Sequence, residues 1–445
     1  MSGLDLLREG EFDPSTSDLV HKFQARERKY LHFDNRLTER RREISYDFEI
    51  EETPHRFYPL LGYTKLVRRV TLSASGEPQV VPKPREIKYA SHRDSAYLEA
   101  YSSWLSLAYE AELKKSNLDR CVLAYRKGNA TNIHHAKALF DEVAHRADCV
   151  VTALDIKGFF DSLLHQHLKH ELLELLDAGR LEGHHWTIFK NVTRYSWVEQ
   201  EALEVALGPK RKKKGRICTA EEYVTKVRGK ENNLIRVNKN PWGIPQGTPI
   251  SGLYANIYLL SFDRRMLRYA NSIGGTYRRY SDDIAVVAPP HIRPEDVVQE
   301  IERAISSYGL QLSTHKTELS VFSRGLCQNE NRPLQYLGFT YDGRKFFIRT
   351  ASMLRYQKKM RQGIRAKLIA AKAQGIPSRN VYQRQLLSRY THLGKGRNFV
   401  KYAYRAAEIM NAPSIRHQIK NHPRWFQRAW HKEVIRAYGD LVTSA

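Results

Sequence analysis

Three acidic residues define the chemistry open to this sequence. Asp155 ends an apolar run, Cys149-Val-Val-Thr-Ala-Leu-Asp155, which reads as a buried strand presenting an acid at its C-terminal end. Asp282 and Asp283 stand between two arms, TYRRY and IAVVAPP, and the pattern from Thr276 to Ala288 predicts strand, turn, strand. Adjacent carboxylates at a tight turn are costly unless cations bind them. Carboxylate oxygens suit magnesium, which keeps several waters and needs few protein ligands. Two such ions, about 3.5–4 Å apart, support phosphoryl transfer, a reaction that asks of the protein mainly positioning and charge neutralisation. Taken alone, Asp-Asp in a turn is ordinary surface chemistry, and its reading depends on the surrounding sequence.

The elements that must bring residue 155 to residues 282–283 are partly legible. Residues 20–45, charged and including Thr38-Glu-Arg-Arg-Arg-Glu43, read as helix. Residues 64–92 predict a β-hairpin around a Gly76-Glu-Pro turn signal. Ala96, Leu98, Tyr101, Leu105 and Ala108 predict an amphipathic helix from Arg93 to Lys115. A helix after Asp155 runs through LLHQHLKHELLELLDAG to near Gly179. Helical spacing returns over 251–270 and from Val297 to Tyr308, and Gln311–Ser323 reads as a strand. Leu334–Phe339 and Lys345–Arg349 predict a further hairpin, and the last hundred residues are mostly helical, basic and aromatic. Within 208–240, GPKRKKKGR is a basic turn, either a solvated loop or a contact to phosphate.

The whole chain is strongly basic. Its 445 residues, enough for roughly two to four structural units, carry 73 Lys+Arg against 48 Asp+Glu, a formal net charge of +25. Such an excess favours a polyanionic partner, with solubility alone as the plainer reading. The four cysteines, Cys121, Cys149, Cys218 and Cys327, form no Cys-x-x-Cys pair, which points to reduced thiols and a cytoplasmic protein. The N-terminal MSGLDLLREGEFD lacks the pattern of a signal peptide, and no apolar stretch predicts a membrane span.

Several motifs, in order, resemble those of bacterial reverse transcriptases. Leu154-Asp-Ile-Lys-Gly-Phe-Phe-Asp161 resembles the first palm motif, and Gly243-Ile-Pro-Gln-Gly-Thr-Pro-Ile-Ser251, continuing to Asn256, the second. Tyr280-Ser-Asp-Asp283 resembles the metal-binding box, Thr314-His-Lys-Thr-Glu318 the fourth motif, and Gln335-Tyr-Leu-Gly-Phe339 the primer grip. Upstream, Pro82-Lys-Pro-Arg-Glu-Ile87 with Asp94, and Tyr125-Arg-Lys-Gly128, are similar to fingers signatures. The resemblance covers roughly residues 80–345.

The resemblance implies roles. Asp155, Asp282 and Asp283 would hold two Mg2+ ions, with a backbone carbonyl added by Ile156. Phe160 would be an aromatic steric gate favouring dNTPs over rNTPs. Lys83 and Arg85 would meet the triphosphate, Arg offering a planar fork. Gln246 and Gly247 would let backbone approach the nucleotide. Lys316 would protonate or neutralise pyrophosphate, and Leu337, Gly338 and Phe339 would form the primer grip. Asp161 is read as structural or helix-capping. Ser281 departs from the alanine more familiar before the acid pair, and a retron-type Val-Thr-Gly signature and a paired Cys/His endonuclease are not seen. The resemblance is therefore to the non-retron, non-intron reverse transcriptases associated with antiphage defence.

The implied fold is α+β, a right-hand polymerase: an N-terminal helical extension over 1–59, fingers over 60–148, a palm with a small antiparallel sheet over 149–345, a fingers insertion at about 165–240, and a basic helical thumb over 346–445. The implied activity is RNA-directed DNA polymerase. Its partners would be a structured non-coding RNA template, a DNA primer or product and dNTPs, with no membrane. The alternatives are an untemplated or protein-primed DNA polymerase of the same fold, an RNA-dependent RNA polymerase, and an inactive RNA-binding scaffold.

Overall fold

The computed structural model describes residues 21–46, 48, 55–72, 78–128, 130–208, 215–229, 232–313, 317–329 and 332–439. In chain order its strands are β1 (His21–Gln24), β2 (Glu43–Tyr46), β3 (Leu60–Leu72), β4 (Pro78–Tyr89), β5 (Cys149–Asp155), β6 (Ser196–Glu199), β7 (Arg236–Val237), β8 (Thr276–Tyr280), β9 (Asp283–Ala288), β10 (Glu318–Ser323), β11 (Leu326–Cys327), β12 (Leu334–Tyr336), β13 (Phe339–Tyr341) and β14 (Phe346–Ile348). The helices used below are α1 (His92–Lys115), α2 (Asn132–Arg146), α3 (His165–Leu176), α4 (Gly183–Thr193), α5 (Ser251–Tyr258), α6 (Leu260–Ser272), α7 (Pro294–Ser306) and α8 (Thr350–Ala373). The fold is α+β.

A five-stranded antiparallel sheet in the order β11-β10-β5-β9-β8 carries the acids. Its middle strands are apolar at successive positions, as expected when both faces are covered. Alternate side chains then enter different cores. Leu154, Ile284 and Val286 join a core with residues of α1, α3, α5, α6 and α7. Cys149, Val151, Ala285 and Val287 join a second, built with α2, β12–β14 and the C-terminal helices. By the same alternation Asp155 and Asp283 fall on the face of the second core, at the strand ends, where both are half-buried.

Two further sheets flank this one. β3 and β4 form a long hairpin, extended by β6, parallel to β3, and then β7. β12, β13 and β14 form an antiparallel sheet. In α8, Met353, Tyr356, Met360, Ile364 and Leu368 are buried at helical spacing, leaving its Lys and Arg residues to the other face. Among the described residues no helix is long and apolar enough to cross a membrane.

Several expectations are corrected. The helix expected over 20–45 is replaced, from residue 21, by the antiparallel pair β1–β2 and a single 3-10 turn. The charged run has no apolar stripe to bury as a helix. Of the strand expected over Gln311–Ser323, Glu318–Ser323 is strand, residues 311–313 are irregular apart from an isolated bridge of Leu312 to Ile156, and 314–316 lie outside the described residues. The hairpin expected from Leu334 to Arg349 has three strands, because turns follow both Tyr336 and Tyr341. The basic turn at 209–214 lies outside the described residues.

Candidate active site

Strand register brings the acids together. Asp155 and Asp283 are direct partners across β5 and β9, so their Cα atoms lie roughly 4.5–5.5 Å apart with side chains on one face. The Ile156 N–H donates to the Asp282 carbonyl at 3.0 Å, tying the turn to the end of β5. Tyr280 pairs with Asp283 across a two-residue loop. Of the loop residues Ser281 alone has positive φ, +61°, as a type II′ hairpin turn requires at its first position. Glycine favours that position, so Ser281 holds strain.

A buried polar network braces this turn from behind. Arg279 and Asp263 are wholly buried and form a bidentate pair, Nε–Oδ1 2.7 Å and Nη2–Oδ2 2.5 Å. Arg279 Nη1 also donates to Asn256 Oδ1 at 3.1 Å and to the Ser281 carbonyl at 3.2 Å. The Tyr277 hydroxyl donates to Asp263 Oδ1 at 2.5 Å, and Asn256 Nδ2 donates to the Ala124 carbonyl at 2.8 Å. The turn is thus held to α5, α6 and the 121–125 segment. Sequence reading missed Arg279 and Asp263. The available signal was a charge on the inward face of TYRRY, in phase with Tyr277.

Tyr125 was also missed as a site residue. Its hydroxyl lies 3.0 Å from Ser281 Oγ, and its ring stands edge-on to Phe160 at 6.4 Å. A Cβ at Gly252 would meet that ring at 2.7 Å, so the small residue makes room for it. Phe160 is half-buried and its carbonyl accepts from the Ile244 N–H at 2.9 Å, linking the first two motifs. Asp161 is exposed. The Gln246 carbonyl accepts from the Lys88 N–H at 2.9 Å. Gly247 has φ +127°, and a Cβ there would meet the Lys88 carbonyl at 2.8 Å.

The remaining predicted residues sit further along these elements. Lys83 and Arg85 are in β4, opposite Val67 and Lys65, and Arg85 is exposed. Leu337 and Gly338, both with positive φ (+46° and +92°), form the two-residue turn between β12 and β13, a type I′ pattern. Asn132 Nδ2 holds the Leu337 carbonyl at 3.1 Å, and Phe339 is buried. Burial raises the hydroxyl pKa of Tyr336, just before this turn, and the Asp283 charge adds a smaller push in the same direction. Lys316, with Thr314 and His315, lies outside the described residues.

Among the described residues, which include Asp155, Asp282 and Asp283, no three His, Cys, Asp or Glu side chains are grouped so as to hold a metal ion. Asp155 and Asp283 share one face and Asp282 stands in the adjoining turn, and all three offer oxygen donors, the type that magnesium prefers.

Comparison with known proteins agrees with the family that the sequence motifs resemble. The family model described as Reverse transcriptase (RNA-dependent DNA polymerase) matches residues 108–341, which include all three acids and the Leu337–Phe339 turn but not Lys83 or Arg85. Retron Mx162 reverse transcriptase of Myxococcus xanthus is 30% identical over 146 residues, 33% of this chain and 24% of that protein. The match thus spans about a quarter of that relative's length. Among solved structures, apo telomerase from Candida tropicalis, truncated from the C-terminal domain, aligns with TM-score 0.40 and 12% identity over 63% of this chain and 53% of that one. Telomerase from Candida albicans in complex with a TWJ fragment of telomeric RNA aligns with TM-score 0.38 and 13% identity over 88% and 66%.

Proposed function

Because the chain belongs to the reverse-transcriptase (RNA-dependent DNA polymerase) family, we propose that it adds deoxynucleotides to a 3′-hydroxyl under the direction of an RNA template. The observation that carries this reading is the register placing Asp155 opposite Asp283, with Asp282 tied to Ile156 in the adjoining turn. In this reading Asp155, Asp282 and Asp283 hold two Mg2+ ions, with Ile156 contributing a carbonyl. When bound, the ions supply charge neutralisation and a lowered hydroxyl pKa.

The protein's own part is positioning. Arg279 fixes the turn through the Ser281 carbonyl. Phe160, held against Tyr125, lies under the sugar and excludes a 2′-hydroxyl. Arg85 and Lys83 on β4 and Lys316 meet the phosphates. Gln246 and Gly247 shape the floor by closing on the backbone of Lys88. The Leu337–Phe339 turn grips the primer. The arrangement is a right hand: fingers over 60–148 with the 165–240 insertion, palm over 149–345, thumb from 346. A structured non-coding RNA as template and a role in antiphage defence complete the proposal, resting on the motif resemblance.

The test is synthesis from dNTPs by wild type and by Asp282→Ala/Asp283→Ala. Synthesis should vanish in the variant while RNA binding persists. Equal synthesis by the variant overturns the metal role, and no synthesis by wild type favours an RNA-binding scaffold. Phe160→Ala should admit rNTPs, and unchanged sugar selectivity removes the gate. Sequencing RNA that co-purifies from the host should return one structured species; random cellular RNA counts against a dedicated template.

A further inference from the structure

We propose that the groove between α3, α4 and the 239–241 loop is a second nucleic-acid site, which takes single-stranded RNA outside the catalytic turn. The groove is open and encloses about 1000 Å3. Two helix faces and a loop make its walls. Trp186, Phe189, Lys190 and Thr193 line it from one side of α4, and Gln166, Lys169 and His170 from one side of α3, as i, i+3 and i+4 spacing requires. Lys239 lies on the loop and Arg194 just past α4.

Charge selects the ligand. Among the described lining residues none is acidic. Lys190, Arg194 and Lys239 are exposed and Lys169 half-buried, and none of the four forms an ion pair with a described residue. Among the described residues, acids reach the groove only through its histidines: His170 lies 3.2 Å from Glu174 and His167 3.5 Å from the buried Glu171. A concave surface with unneutralised cations concentrates anions. The aromatic content narrows the class further. Trp186 is 44% exposed, with Lys169 Nζ 5.9 Å from its ring centroid. A flat exposed ring among phosphate-binding cations is the arrangement on which unpaired bases stack, whereas a base already paired in a duplex presents no free face.

The walls are rigid, and they adjoin the proposed nucleotide site. Asn238 Nδ2 donates to the Thr193 carbonyl at 2.9 Å and the Trp242 carbonyl at 3.1 Å, locking the loop onto the end of α4. The His165 N–H donates to the Pro241 carbonyl at 2.9 Å, and Gly243 N–H to the Leu163 carbonyl at 2.8 Å. This seam continues to the Phe160–Ile244 hydrogen bond, and Trp242, 45% exposed, bridges Leu164 along it. The groove is therefore joined through backbone hydrogen bonds to the seam between the first two motifs.

The inference rests on the reading that the chain handles RNA, and its test separates the two. The full-length protein is titrated with a fluorescein-labelled, unstructured 20-nucleotide RNA at several salt concentrations. Lys169→Ala/Lys190→Ala/Lys239→Ala should weaken binding at least tenfold and reduce the slope of log affinity against log salt by about 2, at roughly 0.7 per lost phosphate contact. Trp186→Ala should weaken it by on the order of tenfold, with Trp186→Phe restoring most of the loss. Synthesis on a short hairpin primer–template should stay within twofold of wild type in all variants, and their melting temperatures should match wild type. Unchanged affinity and salt slope in the triple variant overturn the proposal, as does loss of binding to poly-glutamate in place of RNA, which assigns the groove to an acidic protein. If wild type synthesises nothing, the polymerase reading fails while the RNA titration still decides the groove.

Discussion

At single residues, the site is shaped where backbone conformation or contact leaves little choice. Gly247 combines φ +127° with a carbonyl 2.8 Å from where a Cβ would sit. Gly247→Ala should therefore cost about 1–3 kcal/mol and raise the KM for dNTPs more than it lowers kcat; urea melts and steady-state extension check this. Ser281 is strained by its φ of +61° yet gains a contact to the Tyr125 hydroxyl. Ser281→Ala keeps the strain and loses the contact, so it should be about 0.5–1.5 kcal/mol less stable than wild type. Ser281→Gly loses the same contact but relaxes the turn, so it should melt above Ser281→Ala.

Among elements, the brace behind the acid turn is the costliest thing to disturb. Arg279 and Asp263 are both fully buried. Removing one partner strands a charge, so Asp263→Ala should lose about 3–5 kcal/mol, whereas replacing both by apolar residues of similar volume should cost much less. Chemical denaturation of the two variants decides between them, and equal losses would show that the pair is not coupled. A second element-level device is pH-dependent. Glu171 of α3 is buried, with His167 Nε2 3.5 Å away. Burial pushes its carboxyl up to about 7, while the unfolded chain titrates near ~4.3. The folded state thus keeps a proton that the unfolded state releases. The resulting stabilisation is complete below about pH 4 and is lost as pH rises through about 7. Glu171→Gln should flatten this dependence and be about 1–2 kcal/mol more stable than wild type at pH 8, by urea melts at pH 5 and 8.

Across the whole molecule, the central sheet couples two cores. Val151, Ala285 and Val287 belong to one, Leu154, Ile284 and Val286 to the other, along the same strands. Neither core can melt without exposing the other's wall. Thermal or urea unfolding should be a single transition, with the same midpoint by circular dichroism and by the fluorescence of Trp104 in the first core and Trp430 in the second. Val287→Ala, placed in the second core, should shift both probes together. Separate midpoints would show that the C-terminal helices fold as an independent unit.

Local pattern was enough to determine the apolar strand ending at Asp155, the strand–turn–strand around Asp282 and Asp283, the helix of α1, and the motif order that points to the family. Periodicity and turn chemistry are properties of neighbouring residues. The charged segment before residue 46 misled because charge marks exposure and says nothing about whether a strand partner exists. Three features were decided only by tertiary structure: the pairing of residue 155 with residue 283, the burial of Arg279 against Asp263, and the basic groove between α3, α4 and the 239–241 loop. Each depends on which distant segments share a surface, and that follows from how the whole chain buries its apolar faces.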